Sequence, residues 1–96
     1  MVLIDITLPW VKPEQFEQRL DIVKVDFVKG KFGTEIELHL LELHTGTVYR
    51  MSVYGKNKNF LVNTYGPETA AWLGKPIMIS LDLQNGKDVR VLRVPK

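Results

Sequence analysis

Alternating apolar and polar positions predict five β-strands along the chain. Side chains on one face of a strand recur at every second residue. This spacing occurs at residues 20–29, 34–44, 47–54, 76–83 and 89–94. In the second strand, the inner face is expected to carry Ile36, Leu38 and Leu40. The repeat shifts by one residue at Leu40-Leu41, which predicts a β-bulge in that strand.

The same spacing assigns faces to the other strands. In the first strand, Val23, Val25 and Phe27 are expected to share one face. In the third strand, the face that carries Met51 is expected to point inward. Four inner positions are predicted in the fourth strand: Ile77, Ile79, Leu81 and Leu83.

Glycine-containing turns separate the strands. Glycines at positions 30 and 33 predict a hairpin whose tip holds Lys31 and Phe32. Thr45-Gly46 predicts the next turn. Asn85-Gly86 is the strongest hairpin signal, because a type I′ turn needs φ > 0 at both central residues.

Helix-forming residues lie between the third and fourth strands. Residues 65–75 predict a short helix that begins at Pro67, because proline suits the first helical position. Trp72 is expected in the core, and Gly74 is expected to end the helix with φ > 0. Upstream, Asn57 or Asn59 is expected to cap a short helix that runs through residues 60–65.

The predicted order is three strands, a helix and two strands, within a mainly β fold. This is the order of the OB-fold, a five-stranded barrel with a helix between strands three and four. An SH3-like barrel or an open α+β sheet remains the alternative. The length of 96 residues favours a single OB-like domain over residues 1–96, with residues 1–17 as an N-terminal arm. Within this arm, Trp10 is expected to be a packing residue.

Composition narrows the classes of function. The chain has no cysteine, so disulfides and thiolate chemistry are excluded. No apolar run approaches the length of a membrane span, and the start lacks the features of a signal peptide. These observations predict a cytoplasmic protein without a membrane partner. Residues 1–48 hold five basic and eight acidic residues (−3), and residues 49–96 hold eight basic and three acidic residues (+5). The basic second half suits an anionic partner.

A motif in the last third of the chain resembles a known pattern. Its residues are Tyr65-Gly66, Thr69, Trp72, Gly74-Lys75, Ile77 and Val89-Arg90-Val91. It is similar to small proteins of phages and plasmids that often belong to replication or recombination modules. The resemblance implies an OB-like fold and binding of single-stranded DNA, as in other proteins of viral or mobile-element type.

A single-strand binder needs cations along the phosphate path and exposed rings on which bases stack. These residue types occur in the loops and on outward strand positions, and they define the candidate nucleic-acid-binding residues. The candidates are Lys31, Phe32, Arg50, Tyr54, Lys56, Lys58, Lys87 and Arg90. The expected function is weakly sequence-specific, non-enzymatic binding of single-stranded nucleic acid, with no catalytic residue, metal or cofactor.

Two alternatives come from the acidic second strand. Glu35, Glu37 and Glu42 would repel phosphate unless they form cross-strand pairs with Arg50 and Lys24. A protein-interaction or assembly module is therefore the second hypothesis; these glutamates, the apolar residues 2–8 and an unpaired sheet edge motivate it, and the partners it allows include a second copy of the chain, as in a homo-oligomer. The third is a metal-dependent enzyme that uses Glu35, Glu37 and His39 on one strand face.

Overall fold

Five antiparallel strands and one α-helix form the part of the protein that the structure describes. The computed structural model describes residues 8–30 and 33–95. Its elements are β1 (Arg19–Gly30), β2 (Gly33–Glu42), β3 (Thr47–Val53), α1 (Gly55–Tyr65), β4 (Pro76–Gln84) and β5 (Lys87–Arg93), with 3₁₀ helices at Pro13–Gln15 and Thr69–Trp72. The mainly β class and a helix between the third and fourth strands are confirmed.

The strands form one sheet in the order β3-β2-β1-β4-β5. The long strand β1 pairs with β2 over most of its length and with β4 through its first three residues only. The edge strands β3 and β5 do not pair with each other within residues 8–30 and 33–95, so the sheet is open there. Closure into a barrel is not confirmed.

The N-terminal segment crosses from the free edge of β3 to the start of β1. The N–H of Arg50 donates to the carbonyl of Pro9 at 2.9 Å, and the N–H of Val11 donates to the carbonyl of Arg50 at 3.0 Å. Further along, the N–H of Glu17 donates to the carbonyl of Ile79 at 2.9 Å. Residues 9–17 are therefore attached to the sheet at both ends. Residues 1–7 of the predicted arm lie outside the described residues.

One apolar core lies on the inner face of the sheet. Its buried residues are Val11, Leu20, Ile22, Leu38, Leu40, Met51, Val53, Leu61, Trp72, Ile77, Ile79 and Leu92. The predicted inner faces of β2 and β3 are confirmed. Trp72, which is 1% exposed, is a core residue as predicted, and its Nε1–H donates to the carbonyl of Gly66 at 2.8 Å.

The bulge lies in β1 and not in β2. The register shifts between Ile22 and Lys24, whereas β2 pairs regularly with β3 through Leu40 and Leu41. The extra residue turns Val23 out to solvent and places Ile22 in the core. The predicted bulge at Leu40-Leu41 is therefore wrong. The prediction that Val23 shares a face with Val25 and Phe27 is also wrong, because the register shifts between Ile22 and Lys24.

The apolar pattern of β2 shifts for a different reason. Glu42 is buried after Leu38 and Leu40, because its carboxylate accepts a hydrogen bond from the Thr45 hydroxyl at 2.6 Å. A satisfied carboxylate can occupy a buried position that an apolar residue would otherwise fill. Leu41 points to the opposite side of the strand and is half-buried.

The helical region differs from the prediction in its boundaries. Helix α1 begins after Tyr54, which makes no side-chain cap, so neither Asn57 nor Asn59 is the capping residue. The helix ends at Tyr65, its C-cap Gly66 has φ of 100°, and Pro67 follows outside it. Residues 65–75 therefore form a 3₁₀ helix, Thr69–Trp72, instead of a helix beginning at Pro67. Gly74 has the expected positive φ of 79°.

The β4–β5 hairpin extends beyond the core. Ile77 and Ile79 are buried as predicted. Leu81 and Leu83 are 50% and 70% exposed, so their predicted burial on the inner face is wrong. Beyond residue 78, β4 pairs only with β5 among the described residues, so this end of the hairpin extends past β1. The Asn85-Gly86 turn is confirmed, with φ of 51° and 77°.

Candidate functional site

A solvent-open cleft of about 620 Å³ lies between the edges of β3 and β5. We call it the β3–β5 cleft. It occupies the gap that an open sheet leaves between its two edge strands. The polar and aromatic residues on its walls include Trp10, Tyr54, Lys56, Gln84, Asp88 and Arg90.

The Asn57 side chain joins the two sides of the cleft at its base. Its Nδ2 donates to the carbonyl of Arg90 at 3.0 Å, and its Oδ1 accepts from the N–H of Leu92 at 3.2 Å. These two bonds satisfy edge groups of β5 that no strand pairs with. Asn57 thus fixes the first turn of α1 against β5, and with it the neighbouring Lys56.

Two aromatic rings present free surface in the cleft. Tyr54 immediately follows β3 and is 76% exposed. Trp10 is 48% exposed, and the backbone bonds between residues 9–11 and Arg50 place it beside β3. The Arg50 guanidinium lies 4.0 Å from the centroid of the Trp10 ring, so a cation–π contact supports one face of the indole.

Two cations lie on the cleft walls. Lys56 is in the first turn of α1, and its Nζ donates to Oε1 of Gln84 at 3.3 Å. Arg90 is on β5, and its guanidinium lies 5.3 Å from the centroid of the Phe16 ring. The N-terminal segment therefore supports both arginines, Arg50 through Trp10 and Arg90 through Phe16.

The eight sequence-predicted residues are only partly brought together. Tyr54, Lys56 and Arg90 line the cleft, and Arg50 is adjacent to it through Trp10. Lys58 on α1 and Lys87 on β5 are exposed but do not line it. Lys31 and Phe32 lie outside the described residues.

The acidic residues of β2 do not line the cleft. The Glu37 carboxylate contacts Nε2 of His39 at 3.2 Å, and Glu42 is bonded to Thr45. Glu35 lies over Gly30 on the neighbouring strand. The alternative pairs between these glutamates and Arg50 or Lys24 do not form: the one Lys or Arg ion pair among the described residues joins Arg19 and Asp21.

The side chain of Arg50 is incompletely satisfied. His39 is its register partner on β2, and Lys24 is the register partner of His39 on β1. Within the described chain, the Arg50 Nε is the one buried side-chain nitrogen or oxygen without a hydrogen-bond partner. No acceptor within residues 8–30 and 33–95 uses this donor, although the guanidinium is held against Trp10.

The three-residue cluster of the metal-enzyme hypothesis is not formed. Glu37 and His39 contact each other, but the part of the chain that the structure describes holds no group of three His, Asp or Glu side chains suited to a metal ion.

No helix within residues 8–30 and 33–95 is long and apolar enough to cross a membrane.

Trp10 and Asp88 are cleft residues that were not among the sequence-predicted candidates; Trp10, predicted to be a packing residue, is 48% exposed. Trp10 reaches the cleft through a backbone bridge to Arg50, forty positions away, that alternation within a strand cannot reveal. The one sequence feature that sets Trp10 apart is that Pro9 and Pro13 flank it and prevent regular strand pairing. Asp88 has the wrong charge for a phosphate contact, so a search for cations omits it.

Comparisons of the chain with models of protein families, with curated proteins and with solved structures find no match. The functional assignment therefore depends on the chemistry and geometry of the cleft.

Proposed function

We propose that the protein is a non-enzymatic module that binds single-stranded nucleic acid, DNA in particular, in the β3–β5 cleft. One observation carries the proposal: two exposed rings, Trp10 and Tyr54, share a cleft with two cations, Lys56 and Arg90. Proteins that bind single strands combine aromatic rings for base stacking with a cationic groove for the backbone.

The chemistry of the cleft favours a single strand over a duplex. A base can stack on a protein ring only if that face of the base is free, which paired and stacked duplex bases do not offer. Stacking contributes ~1–3 kcal/mol per base and works with every base, so it gives affinity with modest sequence preference. The cations add an electrostatic contribution to the affinity, and this contribution weakens as the salt concentration rises.

The architecture supports an OB-like assignment in its finer detail. The sheet order β3-β2-β1-β4-β5 and the helix between β3 and β4 are compatible with an OB barrel, and the seam between β3 and β5 is open among the described residues. The segment 9–17 crosses one end of that seam. The similarity of the Tyr65–Lys75 motif to small phage and plasmid proteins points to the same fold and to DNA as the ligand.

Titration of a fluorescent oligothymidylate at low and at moderate salt tests this function. We expect saturable binding at low salt that weakens steeply as salt is added. Intrinsic fluorescence gives a second readout: Trp72 is buried and Trp10 is half-exposed, so quenching by the oligonucleotide reports chiefly on Trp10. Absence of binding at low salt would refute the proposal.

A protein-interaction or assembly module is the second candidate. It is favoured by exposed apolar side chains on the two hairpins, Phe27 on β1 and Leu81 and Leu83 on β4. Such side chains are common at contacts between proteins. Light scattering during size-exclusion chromatography distinguishes the candidates, because assembly without nucleic acid predicts an oligomer and no oligonucleotide binding.

A further inference from the structure

Asp88 is the one carboxylate among the described residues that line the β3–β5 cleft. Asp88 and Arg90 are two residues apart on β5, with register partners Leu83 and Leu81 on β4, so they share a face of the strand. No ion pair or side-chain hydrogen bond engages the Asp88 carboxylate within residues 8–30 and 33–95. The nearby Lys56 bonds Gln84 instead.

A free carboxylate in this position is unfavourable for phosphate but suited to a base edge. An ionised carboxylate only accepts hydrogen bonds, and its two oxygens can take two parallel donors. The Watson–Crick edge of guanine presents two adjacent donors, N1–H and N2–H. Thymine presents a single N3–H between two carbonyl oxygens, which a carboxylate repels.

We infer that Asp88 gives the cleft a preference for guanine over thymine in single-stranded nucleic acid. This inference rests on the proposed function and adds the base that the cleft selects. Tyr54 lies on the β3 side and Asp88 on the β5 side of the same cleft. Because both residues line this cleft, a base that stacks on Tyr54 lies in the same cleft as the Asp88 side chain.

The direct measurement compares two oligonucleotides of about 12 nucleotides, within the range bound by one OB-type surface. One contains thymine only, and the other contains guanines separated by thymines. The protein is expected to bind the guanine oligonucleotide about fivefold more tightly or better, the lower end for a bidentate contact between a side chain and a base. Replacing each guanine by hypoxanthine removes the N2 donor and is expected to abolish most of this difference.

The Asp88→Asn variant tests whether the carboxylate is responsible. Its affinity for oligothymidylate is expected to rise, because a negative charge beside the phosphate path is lost. Its ratio of guanine to thymine affinity is expected to fall to about one. Glu68→Gln is the control, because it removes one negative charge from an exposed position outside the cleft.

The outcomes separate the two proposals. Equal binding of both oligonucleotides by the native protein overturns the guanine preference and leaves the proposed function intact. An unchanged preference in Asp88→Asn overturns the assignment to this carboxylate in the same way. Failure of both oligonucleotides to bind at low salt overturns the proposed function and the preference together.

Discussion

The side chain of Asn57 bonds the backbone of β5 on both sides of Val91, with its Oδ1 accepting from the N–H of Leu92 at 3.2 Å and its Nδ2 donating to the carbonyl of Arg90 at 3.0 Å. The amide group thereby imitates a paired strand at the edge of the sheet. An unpaired edge exposes backbone groups to other chains, so this contact attaches α1 and also covers the edge.

Replacing Asn57 with alanine is expected to destabilise the fold by about 1–3 kcal/mol, since two hydrogen bonds are lost at about 0.5–1.5 kcal/mol each. For a chain of this size, each kcal/mol corresponds to a fall in Tm of about 4–8 °C. Urea unfolding measures the change directly. Asn59→Ala is the control: Asn59 is exposed on the same helix and makes no side-chain hydrogen bond in the described chain. Equal losses in both variants would contradict the role given to Asn57.

Tyr54 is expected to contribute stacking energy without supporting the fold. Its ring is 76% exposed, so Tyr54→Ala should leave the free energy of unfolding nearly unchanged. The affinity for oligothymidylate should fall by ~1–3 kcal/mol, or about 5- to 140-fold, which fluorescence anisotropy measures. Phe27→Ala removes a ring that is 57% exposed and lies outside the cleft. If both variants lose a similar amount of affinity for oligothymidylate, the cleft is not the binding site.

Lys56 is expected to contact phosphate, and Lys58 is not. A contact to single-stranded phosphate adds about −0.7 to the slope of log affinity against log salt, so Lys56→Ala should reduce the slope by about that amount. Lys58→Ala should leave it unchanged, because Lys58 is two residues away on the same helix and outside the cleft. Both cations were predicted from sequence as binding residues, and this pair of variants tests the distinction that the structure draws. A slope lowered by Lys58→Ala alone would place the phosphate path elsewhere.

The strands and turns were predictable because they depend on local patterns. A repeat of two residues marks Leu38 and Leu40 as inner positions, and Asn85-Gly86 marks a turn in almost any context. The bulge was not predictable in the same way. Ile22 and Val23 are both apolar, so alternation cannot show which of the two is the extra residue, and the answer depends on the register with β2.

The candidate site was predictable where its residues lie near one another along the chain. Tyr54 and Lys56 closely follow the end of β3, and their residue types alone indicate contact with a polyanion. The positions of Trp10 and Asp88 in the cleft depend on the tertiary structure. A backbone bridge to Arg50 places Trp10 there, and the position of β5 opposite β3 places Asp88 there. The role of Asn57 was missed because asparagine near a helix start is most often a cap.

Tyr65 predicts how the stability of the fold depends on pH. Its hydroxyl donates to the carbonyl of Pro76 at 2.5 Å where α1 meets β4. Burial raises the pKa of Tyr65 above the usual 10.0, and the charge of Arg19 offsets this only in part. The folded protein therefore holds this proton to higher pH than the unfolded chain does. The stabilisation is fully present below the unfolded pKa and is lost as pH rises through the folded pKa.

Tyr65→Phe is accordingly expected to be less stable than the native protein at neutral pH, by about 0.5–1.5 kcal/mol for the lost hydrogen bond. The difference should shrink as pH rises past about 10, because the native protein loses the Tyr65 contribution there and the variant has none to lose. Urea unfolding over this pH range gives both curves, with Tyr54→Phe as the control for removing an exposed phenol. Parallel curves for the native protein and Tyr65→Phe would mean that the Tyr65 hydroxyl does not couple folding to pH.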